Sequence, residues 1–176
     1  MKTKRIIILI AALVVASAFA LAPAQETKEE KPTQGTMATP GPDGTWRLVK
    51  RVLPDSTVLT PPDVNGLMTF SNGYRNLNVA SRDHNGLVFC RSAISKVKMT
   101  DSTYTETALY GFIHDEMHGQ PVKYIFEEQT KTVPVKRDGS KISFKLPFDP
   151  PTVVLDGDKM TATLEGQFVD VWERVK

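Results

Sequence analysis

The ten residues QFVDVWERVK, at positions 167–176, carry a strand pattern in which valines and aromatic residues alternate with polar ones. A second pattern of this kind opens at Gly44-Thr45-Trp46. Short segments of similar composition follow one another between the two. In one antiparallel sheet the first and last strands would be the exposed edges, and pairing them removes both edges. The pattern therefore predicts an all-β fold, an antiparallel up-and-down barrel of about 8–10 strands.

Turn chemistry and alternation support this prediction. Asn72-Gly73 and the run Asp83-His84-Asn85-Gly86 are typical of tight turns between strands. Ile142, Phe144 and Leu146 alternate with polar residues, as expected for a sheet with one buried face. A two-sheet sandwich would give the same alternation, so this pattern alone leaves the two architectures open.

The two ends resemble a known group of proteins. Gly-x-Trp at 44–46 and Trp-Glu-Arg at 172–174 resemble the small secreted bacterial lipocalin-like domains of the calycin group. In that family a tryptophan on the first strand packs near a basic side chain from the end of the barrel. The resemblance covers residues 44–176 and implies that Trp46 and Arg174 close the barrel. It also favours a barrel over a sandwich and implies that the protein binds a small molecule inside.

The first 24 residues read as a secretory signal peptide. Three basic residues precede the apolar run Ile6–Ala16, and small residues follow it. Cleavage after Ala24 is the first choice and cleavage after Ala20 the second. A retained membrane anchor is disfavoured because a spanning helix needs about 20 apolar residues. We therefore expect a secreted or periplasmic protein without stable membrane insertion.

Residues 25–43 contain prolines, glycines and charged residues without apolar periodicity, which predicts a disordered linker. The full chain has 22 Lys and Arg against 20 Asp and Glu, a net charge of +2. Removal of the signal takes away three basic residues and no acidic ones, which leaves 19 against 20. Such a nearly neutral protein lacks the excess of positive charge that is typical of nucleic-acid-binding proteins.

Cys90 is the single cysteine, so an internal disulfide is excluded and the core must hold the fold. Three interpretations are open for it: a small buried hydrophobic residue, which we favour, an intermolecular disulfide that would give a homodimer, or a reactive thiol.

Glu106 lies on one alternating face with Tyr104, Ala108, Tyr110 and Phe112. If this face points inward, Glu106 is a buried carboxylate that needs a partner. Arg75, which alternates with Leu77 and Val79, and Arg174 are the two candidates. A polar pair in an apolar barrel would either orient an amphiphilic ligand or serve the fold alone, and exposure of Glu106 is the third alternative.

The run His114-Asp115-Glu116-Met117-His118 resembles a metal motif without matching one. On a strand the two histidines would stand about 13 Å apart, which is too far for one ion. We expect a solvated hairpin tip there, and we predict no metal site, no catalytic residues and no cofactor.

The predicted function is binding of a small apolar or amphiphilic molecule inside the barrel. The candidate ligand-binding residues share aromatic character or a buried charge: Phe70, Glu106, Tyr110, Phe126 and Phe144. The alternative is a filled barrel in the cell envelope that acts as a structural or protein-interaction module. An enzyme that converts a ligand inside the barrel is a weaker third reading.

Overall fold

The computed structural model describes residues 41–176. The predicted signal peptide and residues 25–40 of the predicted linker lie outside this part of the chain. Residues 41–176 contain strands, turns and bends but no helix. Accordingly, these residues include no helix that could span a membrane.

Thirteen strands share one antiparallel sheet. The first seven strands are β1 (Gly44–Val52), β2 (Val58–Leu59), β3 (Val64–Ser71), β4 (Tyr74–Arg82), β5 (Val88–Met99), β6 (Thr103–Asp115) and β7 (Gln120–Ile125). The remaining six are β8 (Gln129–Pro134), β9 (Lys136–Asp138), β10 (Lys141–Lys145), β11 (Thr152–Asp156), β12 (Lys159–Leu164) and β13 (Phe168–Arg174).

Strand neighbours follow the chain almost everywhere, so the fold is an up-and-down β-barrel as predicted. The hydrogen-bonded path runs β7-β6-β5-β4-β3-β1-β13-β12-β11-β10-β9. Strand β8 pairs with β6, and β9, one residue further along the chain, pairs with β10. The segment 129–138 therefore joins the two ends of the sheet.

The first and last long strands pair as the sequence predicts. Trp46 lies opposite Arg174, and the guanidinium stands 4.3 Å from the centre of the indole ring. Gly44 permits this contact: it has a φ of +118°, and a Cβ there would lie 2.7 Å from an Arg174 nitrogen. The residues of the Gly-x-Trp and Trp-Glu-Arg patterns thus join the first strand to the last strand and close this part of the barrel.

Buried aromatic side chains and residues 41–43 close the end of the barrel that holds this contact, and we call it the sealed end. Trp46 donates a hydrogen bond from Nε1 to the Pro42 carbonyl at 2.8 Å, and Arg174 donates one to the Asp43 carbonyl. Pro42 is buried, so the last residues of the predicted linker pack on the barrel. Tyr104 and Phe144 are also buried, and their rings pack against each other at a tilt of 30° with centres 4.5 Å apart.

Two β-bulges change which residues point inward. In β1 the register shifts between Leu48 and Lys50, and Arg51 rather than Lys50 enters the interior. In β6 the register shifts between Ala108 and Tyr110, where Leu109 is the extra residue. Because side chains alternate along a strand, one extra residue moves everything after it to the opposite face.

The predicted turns are present. Asn72 and Gly73 have φ values of +51° and +75° and connect β3 to β4, as expected for a two-residue hairpin. Gly86, with a φ of +82°, ends the turn between β4 and β5. The sequence patterns missed β8, which is exposed along most of its length and rich in threonine.

Candidate functional site

The barrel contains a cavity of about 720 Å³ that opens at the end opposite the Trp46 closure. We call this end the mouth. Apolar side chains form much of the wall, among them Met68, Leu77, Val79, Leu146, Leu164 and Trp172. Ala162 also lines the cavity, and its small side chain leaves room. The volume falls within the range of about 300–1,000 Å³ that is typical of small-molecule sites.

A buried charge cluster, made of Arg75, Arg91, Glu106 and Asp149, lies at the base of the cavity. Arg75 is 1% exposed and its Nη2 contacts Glu106 Oε1 and Asp149 Oδ2, both at 2.6 Å. Arg91 contacts the second oxygen of Asp149, and the Tyr104 hydroxyl donates to Glu106 Oε2 at 3.2 Å. The partner that the sequence offered for Glu106, Arg75, is therefore the correct one.

Electrostatics favour the charged forms of Asp149 and Arg75. Burial alone would raise the pKa of Asp149, but the positive charges of Arg75 and Arg91 outweigh burial and hold this pKa below its usual value. Burial opposes the charge of Arg75 as well, yet Asp149 and Glu106 raise the pKa of its guanidinium. The pKa of the Tyr104 hydroxyl is raised by burial, so it remains a donor to Glu106.

A second ion pair lies higher on the cavity wall. Arg51 donates from Nε and Nη2 to the two oxygens of Asp170 at 2.6 Å and 2.8 Å. The same guanidinium donates to Ser81 Oγ at 3.3 Å and stacks on Phe168. Burial raises the pKa of Asp170, and the pairing with Arg51 offsets only part of this effect.

The loop between β10 and β11 supplies part of the cluster. Asp149 is 3% exposed although it lies in this loop, because its side chain reaches the two arginines inside the barrel. Arg91 also donates to the Phe148 carbonyl at 3.3 Å, and Lys131 lies 4.8 Å from the centre of the Phe148 ring. These contacts fasten the loop to β4 and β5 inside the barrel.

Three of the five predicted ligand-binding residues point inward, but none of the five lines the cavity. Phe70 and Phe144 belong to the packed core. Glu106 lies behind Arg75 and is fully buried. Phe70, Glu106 and Phe144 therefore lie in the packed part of the interior and not on the wall of the cavity.

The placement of Tyr110 and Phe126 inside the barrel is wrong. The bulge at Leu109 turns Tyr110 to the outer face, where its ring centre lies 5.7 Å from that of Phe126. Phe126 is 72% exposed and Tyr124, stacked on it, is 60% exposed. With Phe112, which packs on Tyr124, these rings form an outer aromatic cluster.

The run from His114 to His118 forms the hairpin tip between β6 and β7, as predicted. His114 Nε2 lies 3.1 Å from Glu116 Oε1, and His118 Nδ1 lies 2.9 Å from Asp115 Oδ2. Each histidine thus has its own carboxylate partner. Within residues 41–176, no group of three or more potential ligands is arranged to hold a metal ion.

Cys90 is a free, partly buried cysteine rather than the buried residue we expected. It lies on β5 between Ala80 of β4 and His114 of β6. The interior of this strand is formed instead by its sequence neighbours Phe89 and Arg91, which line the cavity.

Sequence reasoning missed Arg51, Arg91, Asp149 and Asp170 as interior residues. Only Arg91 could have been found by alternation, because it shares a face with the buried Ala93. Arg51 depends on a bulge and Asp149 on a loop, and neither has a periodic signal. Asp170 alternates with Phe168 and Trp172, but the facing of this strand was left open.

Comparisons with known proteins give no relative from which a role could be transferred. No protein-family model matches the chain, and no curated protein matches it significantly.

Proposed function

We propose that this protein is an exported, lipocalin-like binding protein that holds a small, mostly apolar molecule in its barrel. The observation that carries the proposal is the cavity of about 720 Å³, whose wall is mainly apolar and also holds charged residues that are paired with one another, among them Arg51 with Asp170. Such a site buries most of the surface of a small ligand while a few polar groups fix its orientation. The signal-like first 24 residues support export. The Gly-x-Trp pattern at 44–46 and the Trp-Glu-Arg pattern at 172–174 support the likeness to lipocalin-like domains.

The first test is binding of Nile red, an uncharged dye whose fluorescence rises in apolar surroundings. Ala162 lines the cavity and Thr163, the next residue of β12, is exposed on the other face. We expect Ala162→Trp to weaken dye binding at least tenfold by filling the cavity, and Thr163→Trp to leave it unchanged. Thermal melting checks that both variants fold, and Ala162→Leu gives a milder change if the larger one does not.

Equal dye binding by the parent protein and a folded Ala162→Trp or Ala162→Leu variant would place the dye outside the barrel. No binding of the dye, together with no co-purified small molecule by native mass spectrometry, would contradict the proposed function.

The outer aromatic cluster favours a second candidate function, association with a second copy of this chain. Strand β7 is the last strand on the hydrogen-bonded path, and it carries the exposed Tyr124 with the exposed Phe126 directly after its end. In an antiparallel two-fold pairing centred on Ile125, Lys123 of one copy would face Glu127 of the other. Sedimentation equilibrium tests this: the parent should be a dimer that Phe126→Ser disrupts, and a monomeric parent contradicts it.

A further inference from the structure

Asp149 is the one member of the buried charge cluster that does not come from a strand. Its carboxylate lies between two guanidinium groups: Nη2 of Arg75 donates to Oδ2 at 2.6 Å, and Nη2 of Arg91 contacts Oδ1. Burial raises its pKa, but the two positive charges outweigh burial and keep the pKa below its usual value, so the group is ionised at neutral pH. Two arginines from neighbouring strands therefore converge on one anion, and a loop supplies that anion.

This loop, residues 146–151, is held by side-chain contacts more than by the sheet. One backbone hydrogen bond, from the Leu146 N–H to the Pro151 carbonyl at 3.1 Å, closes its base. Half of its residues are prolines, which have no N–H to donate. Contacts of Phe148 and Asp149 with side chains of β4, β5 and β8 hold its tip. The tip can therefore leave its place without breaking any pair of strands.

The place that Asp149 occupies borders the cavity. Asp149 and its two arginine partners all line the cavity wall. Leu77 and Val79, which alternate with Arg75 on β4, also line it. A ligand whose carboxylate took the place of Asp149 would thus have its hydrocarbon chain in the cavity, against these apolar side chains.

Exchange of one carboxylate for another leaves the buried charge unchanged. Burying an additional anion would be costly, but a displaced Asp149 regains the hydration that the ligand loses. The loop also holds its carboxylate imperfectly, because Oδ1 is in ionic contact with Arg91 yet accepts no hydrogen bond. A free carboxylate can bind a guanidinium through two parallel hydrogen bonds. An untethered ligand can adopt this geometry, which favours it over the loop residue.

We propose that Asp149 is an internal ligand, which a carboxylate on an apolar chain displaces from Arg75 and Arg91. The ligand carboxylate then binds the two arginines, and the tip of the loop moves into solvent. This inference rests on the proposed function: it names the ligand class of the same cavity and an autoinhibitory contact that the ligand must break.

The experiment measures displacement of Nile red by two molecules of equal chain length, dodecanoate and the uncharged 2-dodecanone, at neutral pH. The parent should bind both. In Asp149→Asn we expect dodecanoate to bind about tenfold more tightly or better, because no internal anion occupies the arginines. In Arg91→Gln dodecanoate should bind about tenfold more weakly, since one of its two partners is lost. Both variants should bind 2-dodecanone within about threefold of the parent.

A second measurement, on the parent, distinguishes displacement from a simple gain of positive charge in the variant. Nuclear magnetic resonance follows the ¹³C signal of the Asp149 carboxyl group at neutral pH. Dodecanoate should move this signal to the position of exposed aspartates, and 2-dodecanone should not. This readout also decides the question if Asp149→Asn does not fold.

The matched control is Asp156→Asn, which removes an exposed carboxylate at the end of the following strand and should bind both molecules as the parent does. Unchanged dodecanoate affinity in folded Asp149→Asn, or an Asp149 signal that stays in place in the dodecanoate complex, overturns the displacement while the binding function stands. Binding of dodecanoate by Asp149→Asn but not by the parent overturns it as well. A protein that binds neither Nile red nor 2-dodecanone overturns the binding function itself.

Discussion

The two ends of the barrel use the same strands in opposite ways. At the sealed end, Trp46, Phe70 and Tyr104 fill the interior and Arg174 covers it. Toward the mouth β1 and β13 contribute Arg51 and Asp170 to the interior, and a cavity remains. Alternation determines which side chains point inward at both ends. The size and polarity of those side chains then determine whether the interior is filled or hollow.

The largest effect should come from the charge cluster between the two ends. We expect Arg75→Met to lower the free energy of unfolding by about 4–5 kcal/mol, because Glu106 and Asp149 would stay buried without their shared cation. Urea denaturation measures the loss, and adding Glu106→Gln should recover part of it. The control is Arg82→Met on the same strand, whose exposed pair with Asp63 should be worth about 0–1 kcal/mol. Equal losses for the two arginines would contradict the importance of the cluster.

The second largest loss of stability should come from substitutions at the sealed end. Trp46→Ala should lower the free energy of unfolding by about 3–4 kcal/mol because a fully buried indole leaves a cavity. Arg174→Ala should cost less, about 0.5–2 kcal/mol, since it removes mainly the stacking contact. The two residues touch, so the double variant should lose less than the sum of the single losses. Additive losses would show that the two residues stabilise the barrel independently.

Acid should lower the free energy of unfolding through protonation of Asp149. Its pKa is lower in the folded protein than in the unfolded chain, so its ionised form stabilises the fold above the unfolded pKa of about 4. This stabilisation is lost as the pH falls through the lower, folded pKa. We expect Asp149→Asn to flatten the fall of the unfolding free energy below pH 4, by urea titration at several pH values.

The matched control for this titration is Asp156→Asn, an exposed residue at the end of the following strand. It should leave the slope with pH close to that of the parent. The same slope in Asp149→Asn and the parent would mean that the loop contact contributes no acid sensitivity.

The outer surface should give the smallest effect on stability. Phe126→Ser should change the free energy of unfolding by no more than about 0.5 kcal/mol, because the ring is largely exposed. A loss above about 1 kcal/mol, the lower bound for a residue with a packing role, would show that the outer cluster supports the barrel. Differential scanning calorimetry on the same sample used for sedimentation separates stability from association.

The sequence predicted the class of the fold because its signals are periodic or local. Asn72-Gly73 marks a turn by its backbone preference, and Trp46 and Arg174 mark the two paired ends. Glu106 could be linked to Arg75 because both stand on alternating faces with apolar neighbours. These features depend on residues close together in the chain or on the regular spacing of a strand.

The candidate site was less predictable because irregular features decide which side chains enter the barrel. One bulge directs Arg51 inward, a second directs Tyr110 outward, and a loop carries Asp149 into the barrel. A bulge changes the face of every later residue in its strand, so an uninterrupted alternation assigns those residues to the wrong side. The error at Tyr110 is a direct result of this shift.

The pairing of β1 with β13 has a practical consequence for anyone who handles this protein. Strand β1 starts beside Trp46 and runs toward the mouth, whereas β13 starts at the mouth and returns to Arg174. Both ends of residues 41–176 therefore leave from the face opposite the opening. A purification handle, a surface linker or a circular permutation that rejoins the ends belongs on that face, where it leaves the opening of the cavity unobstructed.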